Sequence, residues 1–432
     1  MPPALAFPLT ATTMNSAKTI LMTAIGSHGD VLPQIAIGRA LKARGHRVEM
    51  FVSAFFAPLV EAAGLTVHPG GTVEEYENLL RNPDTHHPIR AFRRFAELLG
   101  PYCLPMLEGM RAQVEPGNTI LVTGLLGVVP RLLQELDGVP CVMLHLAPAT
   151  FRSRHQLSRM LPYDSLPHLP GWMRPPMWRL SDLLLDHAIL PMVNPPRAQL
   201  GLPPVKRFFH EWIHGADLQL GLFPAWFAEP QPDWPGNTVL TGFPFADSGE
   251  GACLPEAVQR FLDAGEPPVA FSAGTATAAN REFFAASAEA CRQSGRRGIL
   301  LTHRPEQLPA QLPAGVANFD YVPFATLLPK LAAFVHHGGI GSTAQALRAG
   351  VPQLIRPMAF DQFDNARRAE RLGVAAEILP FRYRPATVAA ALERLIDTPA
   401  VRARSSALTA RMQGESGIAS ACDAILACRK QS

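Results

Sequence analysis

His336-His337-Gly338-Gly339-Ile340-Gly341-Ser342-Thr343 stands between an apolar run at 332–335 and a stretch that ends in Gly350-Val351-Pro352. The run reads as a buried strand, and residues 343–349 read as a helix stopped by Gly350 and Pro352. Between them the chain turns tightly, and its glycines, Gly339 and Gly341 among them, let the backbone come close to a ligand. The helix N-terminus presents N–H groups with no partner inside the helix, which makes an anion site. His336, His337, Ser342 and Thr343 add side-chain donors, and the set suits a diphosphate. A glycine-rich turn from strand to helix also serves many α/β proteins merely as a turn. An isolated histidine pair, moreover, often divides into one core residue and one turn residue. The residues beyond the helix decide between these readings.

There the chain reads Val351-Pro352-Gln353-Leu354-Ile355-Arg356-Pro357, and a loop then delivers Asp361-Gln362 eighteen residues after Thr343. The short strand 353–356 precedes that loop, and a helix at 365–372 closed by Gly373 comes after it. Ligands of an open parallel sheet lie beyond the carboxyl ends of its strands, so both loops face one crevice. A carboxylate beside an amide suits a polyol, because each sugar hydroxyl both donates and accepts. Asp361 also reads as a helix N-cap, and the two roles are compatible. The segment resembles the donor-binding signature of family 1 nucleotide-sugar glycosyltransferases. The resemblance implies an α/β protein of GT-B fold, with two Rossmann-like doubly wound domains facing each other across a cleft. It also implies that the His-Gly turn holds the donor diphosphate and that Asp361-Gln362 holds the sugar.

The N-terminal half opens in the same manner. A buried-strand run at 19–25 leads into Gly26-Ser27-His28-Gly29-Asp30-Val31-Leu32-Pro33, then an amphipathic helix to 43–44, Gly45 and a second strand at 47–52. A strand, a crossover of about 20 residues and another strand begin a doubly wound domain. The loop sets His28 and Asp30 at a strand's carboxyl end, where a general base reaches an interdomain crevice. In the family resembled, the base lies three residues before the proline. That spacing from Pro33 points to Asp30. His28 is the rival, because an imidazole titrates nearer neutral pH. The alternative roles are an N-cap for Asp30 and a solvent-facing loop residue for His28.

The chain's 432 residues suit two domains, and 47% hydrophobic against 17% charged residues is ample for buried parallel sheets. A net charge of +3 without a basic run argues against nucleic acid. Six cysteines lack any Cys-x-x-Cys spacing and read as reduced thiols of a cytoplasmic protein, with peripheral attachment to an inner membrane left open. No span of about 18 uninterrupted apolar residues marks a membrane crossing. No Asp-x-Asp pair is present, so no metal ligands are assigned, and the diphosphate is expected to be neutralised by donors alone. The expected organisation is a disordered leader at 1–17, an acceptor-binding domain at 18–240 and a linker at 241–253. A nucleotide-sugar domain comes next at 254–414, and a final helix at 415–432 returns towards the first domain. Within the first domain a Pro-, Arg-, Trp- and Leu-rich insert at 151–210 breaks the strand–helix alternation and is expected to help build the acceptor pocket.

The resemblance places further donor contacts. Tyr321 and Val322 fall where the family's base-binding loop begins, and Thr275 stands at a helix entrance in reach of the phosphates. Where plant members grip the ribose with a glutamate, this chain has Gln345, which leaves room for a deoxyribose donor such as a dTDP-sugar. A closer resemblance is to the rhamnosyltransferases of rhamnolipid biosynthesis. It rests on Gly26–Pro33, on Leu222-Phe223-Pro224-Ala225-Trp226-Phe227-Ala228, on Thr241-Gly242-Phe243-Pro244 and on Asp361-Gln362-Phe363-Asp364-Asn365-Ala366. It implies inverting transfer of rhamnose from dTDP-rhamnose to a 3-(3-hydroxyalkanoyloxy)alkanoate, with no cofactor besides the co-substrate. The alternative is UDP-glucose with another small hydrophobic, hydroxylated acceptor. An epimerase of the same fold and a non-enzymatic sugar-nucleotide sensor are the competing classes.

Overall fold

The computed structural model describes residues 17–162, 170–245, 253–274 and 280–430. Two parallel sheets organise them. The first contains β1 Thr19–Ala24, β2 Arg47–Ser53, β3 Thr66–Gly70, β4 Thr119–Thr123, β5 Cys141–His145, β6 Leu218–Gly221 and β7 Thr238–Leu240, in the order β3-β2-β1-β4-β5-β6-β7. The second contains β8 Val269–Ser272, β9 Gly298–Leu301, β10 Val316–Phe319, β11 Ala333–His336, β12 Gln353–Ile355 and β13 Ala375–Glu377, in the order β10-β9-β8-β11-β12-β13. The central strands β1, β4 and β5 are buried at every residue, as a sheet covered by helices on both faces requires. Each sheet reverses its strand order once, between β1 and β4 and between β8 and β11. The crevice for a ligand opens at such a reversal. The His28–Asp30 turn follows β1 and the His337–Gly339 turn follows β11, so both stand at reversal points.

The two domains are joined by packing and by charge. Phe151, Phe223, Phe227, Trp234 and Phe243 of the first form one apolar cluster with Ala344, Leu347, Val374 and Met412 of the second. Asp364 is 0% exposed and accepts from the Arg159 backbone at 2.9 Å, from Arg367 at 3.1 Å and from Arg368 at 2.6 Å. The Arg159 guanidinium pairs with Glu377 at 2.6 Å. A buried carboxylate is tolerable only when paired in this way, and removing one partner strands the others. The helix Gly417–Ala427 inserts Ala421, Cys422 and Ile425 into the core of the first domain.

Element by element, the structure departs from the sequence reading in three places. The helix after the His-Gly turn begins at Ile340 rather than 343, and the one after Asp361 begins at Gln362 rather than 365. The insert at 151–210 contains a 26-residue helix, Arg174–Gln199, with Pro191, Pro195 and Pro196 inside it. Interior prolines normally break a helix. Here Ala188, Ile189, Met192 and Val193 are buried, and the helix lies against Pro88–Leu99, so tertiary packing overrides the local penalty. Trp172, Leu180, Leu183 and Leu184 remain exposed on and beside it. Among the described residues no helix is long and apolar enough to cross a membrane.

Candidate active site

The turn after β1 is closed by its own side chains. Ser27 caps the helix His28–Ala43, and Asp30, three residues into it, accepts from the Ser27 backbone at 2.7 Å and the Ser27 hydroxyl at 3.0 Å through Oδ2. Asp30 is therefore half of a capping box rather than the N-cap. Its Oδ1 accepts no hydrogen bond among the described residues, which leaves one oxygen for an incoming proton. Burial pushes the Asp30 carboxyl above its ordinary value, against the opposing Ser27 bonds. Gly26 adopts φ 135°, and a Cβ there would collide with this carboxylate. His28 packs edge-on against Phe55 and Phe56 with ring centroids 5.7 and 5.0 Å away. Burial, and then the like charge of His303 from the second domain, hold His28 below its ordinary value. Both base candidates thus remain at the cleft.

The turn after β11 is built differently. The helix Ile340–Ala349 starts from Gly339 with no side-chain cap, so the N–H groups of its first turn stay open. Gly341 has open space around it. Gly338 takes φ 86°, and a Cβ there would lie 2.8 Å from Ile355 and 3.0 Å from the Gln362 carbonyl. His337 packs over Gly274 and Gly339, and its Nδ1 is buried without a partner. Burial lowers its pKa to about 4, so the ring is neutral and offers an uncharged N–H.

Two proposed ligands of the diphosphate turn out to support the turn instead. His336 is 0% exposed; its Nδ1 accepts from Gly338 N at 3.0 Å and its Nε2 bonds Gln353 Oε1 at 2.9 Å. With both nitrogens engaged, His336 shapes the turn and cannot reach a ligand. Thr343 is also 0% exposed, and its hydroxyl donates to the Gly339 carbonyl at 3.1 Å. Both corrections come from burial, which sequence spacing does not report. Ser342 is half-buried beside exposed Gly341 and stays available.

Asp361 stands at the N-cap of the helix Gln362–Arg371 but makes no side-chain cap. Its Oδ2 accepts from Asn365 Nδ2 at 2.8 Å, and the same amide donates to the Gly338 carbonyl at 3.0 Å. Asn365 therefore ties the sugar pair to the diphosphate turn, a linkage the sequence reading missed. Burial first, and then the facing Asp30 carboxylate, raise the Asp361 pKa to about 7 despite the Asn365 bond. Asp30 of the first domain is thus close enough to Asp361 of the second for their charges to interact. Gln362 is oriented inward: its Oε1 accepts from Met358 N at 2.8 Å and Ala359 N at 3.2 Å. What it can still offer a ligand is its amide NH2, beside the Asp361 carboxylate. Phe360, just before the pair, has φ 55°, the one positive value outside glycine among the described residues. Its ring meets Phe92 of the first domain at 6.1 Å. Strain of this kind concentrates at working sites.

At the far end of the donor crevice Tyr321 is 79% exposed, which excludes a core role and presents a ring face, while Val322 is buried. The Gln345 oxygen is held by Arg348 at 2.7 Å. Thr275 lies outside the described residues, as does 246–252 of the expected linker. In the first domain an apolar pocket encloses about 640 Å³ of empty space, its open mouth included, between Gly26 and Tyr102. Phe51, Phe56, Phe95, Leu98 and Met106 line it, and no residue of 151–210 does. The insert instead backs the pocket, through the contact of Arg174–Gln199 with Pro88–Leu99. Tyr76 links pocket and base: its hydroxyl donates to the Gly26 carbonyl at 3.1 Å, and the Asp30 charge adds to burial in raising its pKa.

Comparison with known proteins agrees with this fold. Residues 20–102 match the glycosyltransferase family 28 N-terminal domain, and residues 298–422 match the erythromycin biosynthesis protein CIII-like C-terminal domain. The O-mycaminosyltylonolide 6-deoxyallosyltransferase of Streptomyces fradiae is 30% identical over 422 residues, covering 93% of this chain and 96% of that one. The solved glycosyltransferase of kitacinnamycin superposes with a TM-score of 0.70 at 23% identity, over 95% of this chain and 99% of the other. A Streptomyces glycosyltransferase solved with thymidine diphosphate superposes at 0.62 with 20% identity, over 94% and 99%.

Proposed function

The chain belongs to the nucleotide-sugar glycosyltransferases, and from that premise we propose that it is an inverting enzyme that moves a deoxyhexose from a dTDP-sugar to the hydroxyl of a hydrophobic acceptor. The observation that carries the reading is the meeting of Asp30 and Asp361 across the cleft, with an uncapped helix N-terminus behind one and an apolar pocket behind the other. Asp30 Oδ1 takes the proton of the acceptor hydroxyl as its oxygen attacks the anomeric carbon. The C–O bond to the diphosphate breaks on the opposite side. The leaving charge is met by the N–H groups of the first turn of Ile340–Ala349, by Ser342 and by His337. Asp361 and the Gln362 amide hold the sugar in line, Tyr321 receives the base with Val322 offering backbone groups, and His336 and Thr343 keep the turn in shape. In this scheme the donors neutralise the diphosphate without a divalent ion, so exhaustive chelation leaves turnover unchanged.

The donor choice draws support from the relative named for a 6-deoxyallosyl transfer and from the neighbour solved with thymidine diphosphate. The finer version, rhamnose passed to a 3-(3-hydroxyalkanoyloxy)alkanoate, rests on the resemblance of the Gly26–Pro33 and Asp361–Ala366 segments. Peripheral attachment to a membrane would use the exposed row Trp172, Leu180, Leu183 and Leu184. The test is a donor panel of dTDP-rhamnose, other dTDP-deoxyhexoses and UDP-glucose against hydroxylated lipids and polyketides, read by mass spectrometry. Product from dTDP-sugars supports the reading. Product from UDP-glucose alone replaces the donor, and hydrolysis with no transfer in any arm removes the acceptor.

A further inference from the structure

Resting on the glycosyltransferase reading, we infer that Glu75 sets the charge of the acceptor, so that the part entering the apolar pocket carries no carboxylate. Among the side chains that line this pocket Glu75 is the one carboxylate, and no lysine, arginine or histidine accompanies it. Its place is fixed. Oε2 accepts from Thr72 N at 2.8 Å, from the Thr72 hydroxyl at 3.1 Å and from Tyr102 at 2.9 Å, and Oε1 accepts from Tyr102 at 3.0 Å. The Thr72 backbone bond first, and then Tyr102, hold its carboxyl below the ordinary range, so it is an anion at every working pH. At the other end of the pocket lies Gly26, against which the Asp30 carboxylate packs, with Asp361 facing Asp30. An acceptor carboxylate close to the reacting hydroxyl would enter a space framed by three acidic side chains, with the imidazoles of His28 and, from the second domain, His303 nearby. An ester or amide at the same position meets no such field, and an amine is drawn in.

Glu75 also completes the capping box of the helix Val73–Arg81. The substitution that isolates its charge is therefore Glu75→Gln, since glutamine serves the capping box equally. The probes are 3-hydroxydecanoate, its methyl ester and its N-(2-aminoethyl)amide, with binding read by calorimetry and transfer by mass spectrometry on wild type and variant. An apolar pocket disfavours any anion, so the acid–ester ratio alone is not diagnostic; its change on Glu75→Gln is. Wild type should bind the acid about tenfold more weakly than the ester, with the amine at least equal to the ester, as one fixed charge at short range implies. Glu75→Gln should narrow the acid–ester gap severalfold, by strengthening the acid far more than it moves the ester. High salt should narrow the wild-type gap in the same direction, a reading that does not depend on how the variant folds. An acid bound as tightly as its ester, or a gap that neither Glu75→Gln nor salt moves, overturns the inference. If the ester binds but receives no sugar, the charge filter stands and the proposed transfer falls instead.

Discussion

The turns after β1 and β11 flank the reversal of strand order in their sheets from opposite sides, and each is a glycine turn into a helix. One helix N-terminus is closed from within by Ser27 and Asp30, and the other is left without a cap at Gly339. The same local field, partial positive charge at a helix start, is thus used in opposite ways. In the first domain it is satisfied by the chain's own carboxylate, which keeps one oxygen free for the role of base proposed above. In the second it is left open, where a diphosphate can supply the missing charge. The two turns thus differ in whether the helix start is closed by its own side chains, Ser27 and Asp30, or left open at Gly339.

The largest effect should come from emptying the self-closed turn of its charge. Asp30→Asn keeps an oxygen for the Ser27 bonds, so the cap survives while the base is lost. We expect kcat to fall about 10²-fold or more, within the usual range for a general base, with affinity for the sugar nucleotide retained. His28→Ala should cost less. Steady-state kinetics on both variants decide the matter: a dead His28→Ala beside a nearly active Asp30→Asn would transfer the role to the imidazole.

Asp361 connects the two turns and is the next lever. Asp361→Ala should weaken binding of the sugar nucleotide by about tenfold or more, the worth of a hydrogen bond to a charged group, and leave the free nucleotide diphosphate nearly unaffected. Gln362→Ala should share that pattern only in part, because its oxygen also closes the loop at Met358 and Ala359. The pH dependence of folding gives a second readout. With a folded pKa raised to about 7 from an ordinary 3.8, the Asp361 carboxyl favours the folded state at low pH. That contribution fades as pH rises through about 7. The neutral buried histidines His336 and His337 act in the opposite sense at lower pH. The comparison is therefore between variants: Asp361→Asn should gain stability over wild type as pH climbs from 4 to 7. Parallel denaturation curves across that window would mean that burial and Asp30 together do not raise the Asp361 carboxyl.

The second-domain turn was readable because its chemistry is local. Glycines, a helix start and an Asp-Gln pair lie within 27 residues, and each acts mainly through backbone or a neighbouring side chain. What failed there needed the third dimension. His336 is excluded from the ligand by Gln353, and Asn365 joins Asp361 to Gly338 only after the strands are aligned. The apolar pocket between Gly26 and Tyr102 was not readable at all. It is assembled from the ends of β1, β2 and β3 and from three short helices, Val73–Arg81, Pro88–Leu99 and Cys103–Arg111, using ordinary apolar residues without a motif. The Pro-rich composition of 151–210 reads as a break in the alternation, although 174–199 is one helix that holds Pro191, Pro195 and Pro196.

The smallest effect concerns the open turn itself. A histidine beside a diphosphate site suggests a protonated ring gripping phosphate, but burial lowers the His337 pKa to about 4 and leaves a neutral ring against Gly274 and Gly339. A neutral N–H to a phosphate oxygen contributes about 0.5–1.5 kcal/mol, so His337→Ala should weaken the free diphosphate by only about two- to twelvefold. Most of the affinity should remain, because the backbone donors of Ile340–Ala349 are untouched. Calorimetry with dTDP and UDP from pH 6 to 8 separates the cases. A loss that is constant with pH fits the neutral donor, whereas one that grows as pH falls means that the bound anion protonates the ring. If His337→Ala binds diphosphate like wild type, the helix N-terminus carries the anion alone. If Gly341→Pro in the first turn also changes nothing, the turn is only a turn and the contrast with the Asp30 side disappears.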